Sequence, residues 1–411
     1  MAASRALARI LTHAALLAAA CDDDSLGGDG LLVDARGRGG RLDSGWDGGS
    51  RADARTDAGR GDGAQLDADG AETSDLDAVG ADAAEISCEC PVLPASCPAM
   101  ERDRAMFTPG SDDAMGSLLG VLACATSTFE AAFYETTWDC LVSALEAKLE
   151  ADPDLTMRLV LDDDECPRVG GALTCSLGPL EANPRVHIVI DDRSALMHHK
   201  FAIADGSLMW AGSANMVRRS FCTDFNDALL IDQPEIVAAY GRELDRLHRD
   251  HFFGPRDPEP PATGGIYSVR FGPETPVSSP AGWFVELTER VATASVSVDF
   301  AIAAWTRSEV ADALIAAHSR GVRVRGVVSS LYANDLPAEL VSTAGLDVRK
   351  GNIHAKLAVI DGRTVITGSP NWSAQAWENN EASLWIESST VAADYVDAIA
   401  RQHASGSPIG I

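Results

Sequence analysis

Hydrophobic and polar positions divide the 411-residue chain into three stretches of different character. Residues 1–21 place Arg5 and Arg9 ahead of an eleven-residue apolar stretch, Ile10 to Ala20, that ends in small residues and Cys21. Residues 22–86 carry almost no large apolar side chains. Beyond them the pattern becomes that of a folded body. Phe129–Thr136 reads as a strand, Leu141–Glu150 as a helix and Leu155–Leu161 as a strand, and the same succession returns in Val296–Ala303, Glu309–His318 and Val322–Val328. Each succession is followed by an apolar run, an Asp-Gly pair (Asp205-Gly206, Asp361-Gly362) and a second apolar run, which predicts two β-hairpins. Alternating strands and helices predict an α/β fold, and Pro255–Gly265, rich in Pro and Gly, reads as the connection between its two parts.

The hairpins carry an internal repeat. His198, Lys200, Asp205, Gly212, Ser213 and Asn215 recur as His354, Lys356, Asp361, Gly368, Ser369 and Asn371, all at an offset of 156. The chain has four lysines, Lys148, Lys200, Lys350 and Lys356, and otherwise uses arginine. Two of the four therefore occupy equivalent places, where a compact point charge suits a phosphate. With a two-residue loop, His198 lies opposite Ser213 and His354 opposite Ser369. Period-two alternation then gathers His198, Lys200, Ser213 and Asn215 on one surface and turns Phe201 and Ile203 to a buried side; His354, Lys356, Ser369 and Asn371 do the same opposite Leu357 and Val359. His199 is turned away from this surface. Trp210, Trp305, Trp372 and Trp377 flank the motifs and read as core, with an acyl or headgroup site as the other reading.

The pattern H-x-K-x4-D-x6-G-S-x-N, present twice, resembles the phospholipase D superfamily. That resemblance implies a duplicated α-β-α sandwich of two pseudo-symmetric halves, 87–255 and 266–411 joined by 256–265, with the active site at their interface. It also implies metal-independent cleavage of a phosphodiester, with no cofactor. By the same resemblance His198 is the nucleophile that forms a phosphohistidine, and His354 protonates the leaving group. Lys200, Lys356, Asn215 and Asn371 bind phosphoryl oxygens, Ser213 and Ser369 support the pocket, and Asp205 and Asp361 act structurally within the turns. Asp227, twelve residues after Asn215, and Glu381, ten after Asn371, resemble the family's downstream carboxylate that orients the catalytic histidine. Both half-sites lie in one chain, so a monomer suffices for catalysis.

Charge and cysteines narrow the setting. The formal net charge is −28; residues 22–86 contribute 15 Asp and 2 Glu against 6 Arg, with 14 Gly, and residues 87–411 retain −19. A segment of that composition cannot offset its chain entropy by burial, so 21–86 is expected to be a disordered spacer. Its Asp22-Asp23-Asp24 lacks the fixed ligand positions of a calcium loop. The apolar stretch of residues 10–20 fits a signal peptide over residues 1–20 rather than a membrane span, and the following Cys21 resembles the lipidated cysteine of a bacterial lipoprotein; a simple secretory signal is the other reading. Eight further cysteines, all before residue 223, allow up to four disulfides in an oxidising compartment. No paired C-x-x-C unit or Cys/His cluster with zinc spacing occurs.

The substrate reading that follows is an exported phospholipase D-type phosphodiesterase that releases phospholipid headgroups at a membrane surface. The alternatives are a metal-independent endonuclease, disfavoured by the acidic charge, a cardiolipin synthase-like phosphatidyltransferase, and a non-enzymatic phospholipid-binding envelope lipoprotein.

Overall fold

The computed structural model describes residues 89–409 apart from 111–112, 332–335, 337–339 and 341–343. The expected signal peptide, Cys21 and the spacer lie outside the described residues.

Two mixed sheets built on one plan form the body. In the first, β1 (Ala105–Thr108) precedes the helix Ala114–Cys124. β2 (Thr128–Phe133), the helix Asp139–Ala151 and β3 (Thr156–Leu161) then make a parallel β-α-β unit. A small hairpin, β4 (Arg168–Val169) with β5 (Ala172–Leu173), leads to β6 (Val186–Ile190), parallel to β3. The motif hairpin β7 (Lys200–Ala204) and β8 (Leu208–Gly212) and then β9 (Asn226–Ile231) complete the order β1-β9-β8-β7-β2-β3-β6. The helix Pro234–His248 closes this half.

The second sheet starts with β10 (Ala262–Gly264) and β11 (Tyr267–Phe271). It repeats the unit with β12 (Ser297–Ile302), the helix Ser308–Ser319 and β13 (Arg323–Ser329), followed by the parallel β14 (Asp347–Gly351). The second motif hairpin, β15 (Lys356–Ile360) and β16 (Thr364–Gly368), then β17 (Ala382–Glu387), the helix Ser389–Ser405 and β18 (Ser407–Pro408) follow. From β11 to β14 the order β11-β17-β16-β15-β12-β13-β14 copies that of the first sheet. This is the duplicated α/β sandwich that the resemblance implies.

Three apolar layers hold it together. Phe201, Ile203, Leu357 and Val359 meet in a central core with Ile236, Val237, Tyr240, Tyr395 and Ile399 from the two C-terminal helices of the halves. Ala202 and Ala204 face an outer layer with Leu118, Leu122, Leu141 and Leu145, while Ala358 and Ile360 face one with Phe284, Leu287, Val310 and Leu314. Both faces of each hairpin are thus buried, not one as the alternation had suggested. Sheets covered on both faces read as continuous apolar runs, which removes the polar face that alternation requires.

The register also differs from expectation by one residue. Ala204 pairs with Leu208 and Ile360 with Thr364, so each loop has three residues, Asp205-Gly206-Ser207 and Asp361-Gly362-Arg363. Asp205 and Asp361 adopt φ of 48° and 53°, followed by Gly206 and Gly362 at 61° and 60°. His198 therefore does not face Ser213 across the ladder, nor His354 Ser369. Disulfides Cys90–Cys140, Cys97–Cys124 and Cys166–Cys175, all between described residues, staple the first half. They are the covalent mark of an oxidising environment. Among the described residues no helix is long and apolar enough to cross a membrane.

Candidate active site

Each motif histidine sits just ahead of a hairpin, in a loop tied to the other half. His198 N donates to Asn380 O at 3.0 Å, and His354 N donates to Phe225 O at 3.0 Å. Short bridges, Met197 with Asn380 and Phe225 with Ile353, reinforce both crossings. The residue after each acceptor then reaches the imbricated imidazole: Glu381 carboxylate oxygens lie 2.9 and 3.0 Å from His198 Nδ1, and Asn226 Oδ1 lies 2.9 Å from His354 Nδ1. Asn226 Nδ2 donates to Ser220 O at 3.0 Å, which fixes the amide so that its oxygen faces His354.

The remaining motif residues build the frame around this pair. Lys200 Nζ donates to His198 O at 2.8 Å and Lys356 Nζ to His354 O at 2.7 Å. Lys356 Nζ also stands 3.1 Å from His354 Nε2. Ser213 Oγ donates to Asn226 Oδ1 at 3.1 Å, and Ser369 bonds the Glu381 carboxylate, so the two serines hold the two orienting side chains. Gly212 and Gly368 are required by close approach, because a Cβ on either would come 2.1 Å from the carbonyl oxygen of Asp227 or Ala382. Asn215 Nδ2 donates to Glu135 Oε2 at 3.1 Å, with Arg219 on the same oxygen at 2.8 Å; Asn371 Oδ1 accepts from Ala304 N at 3.3 Å. The Tyr134 ring packs edge-on to His198, its centroid 5.0 Å away, and Lys200 Nζ lies 5.1 Å from the centre of that ring.

Burial makes the electrostatics strong. His198, Lys200, Lys356 and Glu381 are at most 3% exposed and His354 is 9% exposed. Burial, with Lys356, Lys200, His198 and Arg219 adding like charge, holds His354 well below the ordinary imidazole range. Burial pushes the Glu381 carboxyl up to about 7, against the pull of Lys200. His354 consequently rests neutral, with Nδ1–H given to Asn226 and the Nε2 lone pair directed at a lysine. His198 has a carboxylate at its back.

The family pattern described as "Cardiolipin synthase, PLD-like domain" matches residues 118–248 and 287–403, more than half of the chain. The chain belongs to the phospholipase D superfamily. Within this superfamily it is similar to the mitochondrial cardiolipin hydrolase of Xenopus laevis, 32% identical over 161 residues that make up 39% of this chain and 69% of the relative. It is also similar to the human protein of that name, 37% identical over 99 residues, covering 23% of this chain and 39% of the relative. Among solved structures, phosphatidylserine synthase of Haemophilus influenzae Rd KW20 superposes with a TM-score of 0.59 over 76% of this chain and 89% of that one, at 12% identity, a likeness of fold.

Two of the sequence-derived residues stand away from the imidazoles, and one role moves to another residue. Asp205 and Asp361 lie at the far ends of the hairpins. Asp205 accepts from the backbone of Thr126, Ser127 and Thr128 and from Thr126 Oγ1, and Asp361 accepts from the backbone of Ser295, Val296 and Ser297 and from Ser295 Oγ. Asp227 does not touch His354. Its Oδ2 accepts from Thr367 Oγ1 at 2.6 Å and Tyr395 OH at 2.8 Å, which joins the first half to the second. The place expected for Asp227 is taken by Asn226, eleven residues after Asn215, one more than separates Glu381 from Asn371. A search for carboxylates passes over an amide there. Glu135 and Tyr134 have no equivalent in the repeat and are apparent only in the structure. His199 is directed, as alternation indicates, away from the pair; its Nε2 lies 3.0 Å from Glu243 Oε1 on the helix Pro234–His248. The four motif tryptophans are buried in the outer layers.

Proposed function

We propose that this protein is a phosphodiesterase that releases headgroups from phospholipids and leaves phosphatidic acid, working outside the cytoplasm at a membrane surface to which Cys21, as a lipidated residue, tethers it. The observation that carries the reading is the pair of buried imidazoles, each oriented from the opposite half, beside two buried lysines. The similarity to cardiolipin hydrolases supports a phospholipid rather than a nucleic acid, and the disulfides support export.

The environments of the two histidines support a division of labour that reverses the one implied by resemblance. The neutral, amide-backed His354 is the nucleophile: Nε2 attacks phosphorus, the bond to the headgroup oxygen breaks, and His198 gives that oxygen its proton. Water then attacks the phosphatidyl-His354 bond while His198 takes the water's proton, which frees phosphatidic acid and restores both rings. The carboxylate at Glu381 stabilises the imidazolium form of His198 that the first step consumes. Lys200 and Lys356 neutralise the phosphoryl oxygens as charge accumulates on them.

The full chain should therefore release headgroup from mixed phospholipid vesicles and leave plasmid DNA intact; nicked plasmid without headgroup release would move the reading to an endonuclease, and headgroup exchange with added glycerol in preference to hydrolysis would move it to a phosphatidyltransferase. For the role of each ring, His354→Ala should abolish both turnover and the acid-labile phosphoenzyme. His198→Ala should lose about 10²–10⁴-fold on phospholipid yet keep cleaving an aryl phosphodiester, whose leaving group needs no proton. A phosphoenzyme that survives in His354→Ala and vanishes in His198→Ala would restore the opposite assignment.

A further inference from the structure

At the carboxyl ends of the adjacent parallel strands β3 and β6, outside the catalytic pocket, three aspartates converge. Leu161 and Ile190 are register partners, so Asp162 and Asp191 emerge side by side, with Asp163 next to them. One carboxylate oxygen from each of Asp162, Asp163 and Asp191 lies within 4.8 Å of the others. Asp162 is fully buried and Asp191 is 4% exposed.

Three of their six carboxylate oxygens accept backbone hydrogen bonds. Asp162 Oδ2 accepts from Met197 N at 2.8 Å and Oδ1 from Asp164 N at 3.0 Å, while Asp191 Oδ1 accepts from Asp163 N at 2.9 Å. Asp191 Oδ2 is buried and has no hydrogen-bond partner. Among the described residues no lysine, arginine or histidine forms an ion pair with any of the three; Arg193, the nearest candidate in sequence, donates to the carbonyls of Phe253 and Glu378 instead. Two adjacent buried carboxylates that form no ion pair among the described residues are strongly unfavourable.

The fold does not require this arrangement. The equivalent strand ends in the second half, β13 and β14, carry Ser329 and Gly351, with Ser330 donating to Gly351 O at 2.9 Å. An all-oxygen donor set with one carboxylate oxygen left open suits a hard divalent cation, and three carboxylates favour Ca²⁺, which tolerates irregular oxygen geometry. We propose that Asp162, Asp163 and Asp191 form a structural Ca²⁺ site in the first half. Asp162 holds Met197, the residue before His198, so the ion clamps β3 and β6 to the segment that delivers that histidine.

The test compares the full chain with Asp191→Asn and Asp163→Asn, each titrated with CaCl₂ from a chelated start. The unfolding midpoint of the wild type should rise by several degrees in millimolar Ca²⁺. Both variants should lose that rise, and Asp191→Asn, relieved of a buried charge, should melt no lower than the wild type in chelator. Because the acidic segment 22–86 is present in all three proteins, Ca²⁺ bound there adds equally to each and cancels in the comparison. A wild type indifferent to Ca²⁺, or a rise that persists in both variants, would overturn the site.

Discussion

His198 Nδ1 and the Glu381 carboxylate stand 2.9 Å apart, although 183 residues separate them and they belong to different halves. The contact makes each half incomplete without the other, and it has a pH signature. An ordinary glutamate titrates near 4.5, whereas burial pushes Glu381 up to about 7. The folded chain therefore holds this proton more tightly than the unfolded chain, which favours folding below pH 4.5; that contribution is lost as pH rises through 7. Glu381→Gln has no such proton. Its unfolding midpoint, relative to the wild type, should climb between pH 4.5 and 7, while headgroup release falls by about 10²-fold for want of the carboxylate behind His198. Parallel midpoint curves for the two proteins would remove the buried carboxylate from the argument.

The partner contact, Asn226 to His354, carries the opposite prediction. Asn226→Asp puts a carboxylate behind a ring that burial and neighbouring lysines keep neutral. An adjacent negative charge raises an imidazole's affinity for its proton. The acidic limb of kcat/KM should move to higher pH, so that the variant loses more rate at pH 5.5 than at pH 8. The carboxylate also faces Ser220 O, where Asn226 donated, and stability should fall by about 1–3 kcal/mol. An unmoved acidic limb would mean that His354 does not act as the unprotonated base or nucleophile.

Much of this site is legible in the chain itself, and the losses have identifiable causes. Six identities at a fixed offset locate both imidazoles, both lysines and the duplicated sheets, because a repeated chemistry needs the same residues at the same spacing. The hairpin register was missed by one residue. Asp-Gly indicates a two-residue turn, but Asp205 is recruited to cap three successive amides of the neighbouring 126–128 loop, and the turn widens to hold it there. Asn226 was missed because an amide can orient an imidazole as a carboxylate does without announcing itself by charge. Tyr134, Glu135 and Arg219 lie outside the repeat, and only the folded arrangement brings them to Asn215 and His198.

The role of Asp205 follows from those caps. The backbone N–H groups of Thr126, Ser127 and Thr128, with Thr126 Oγ1, hold its carboxyl below the ordinary aspartate range, against the opposing effect of partial burial. A depressed carboxyl stabilises the fold above the unfolded value of 3.8, and the contribution is lost as pH falls through its folded value. Asp205→Asn keeps the left-handed turn accessible and removes only the charge. It should cost about 1–2 kcal/mol at pH 7 and converge with the wild type at low pH, with kcat per folded molecule unchanged. A fall in kcat at full folding would place Asp205 in the reaction rather than in the scaffold.

Asp227 separates the two ways in which a buried acid near a histidine can matter. Its Oδ2 takes hydrogen bonds from Thr367 Oγ1 and Tyr395 OH, both in the second half, and burial pushes its carboxyl up. Removing it strands two buried hydroxyls, each worth about 1–3 kcal/mol. Asp227→Ala should therefore lower the unfolding free energy by about 2–6 kcal/mol by chemical denaturation, since the loss falls on the joint between the halves. Its pH–rate profile should keep the wild-type shape below the melting temperature, because the carboxylate does not touch His354. A shifted profile with little loss of stability would return Asp227 to the orienting role that its position in the sequence suggests, and would make Asn226 a bystander.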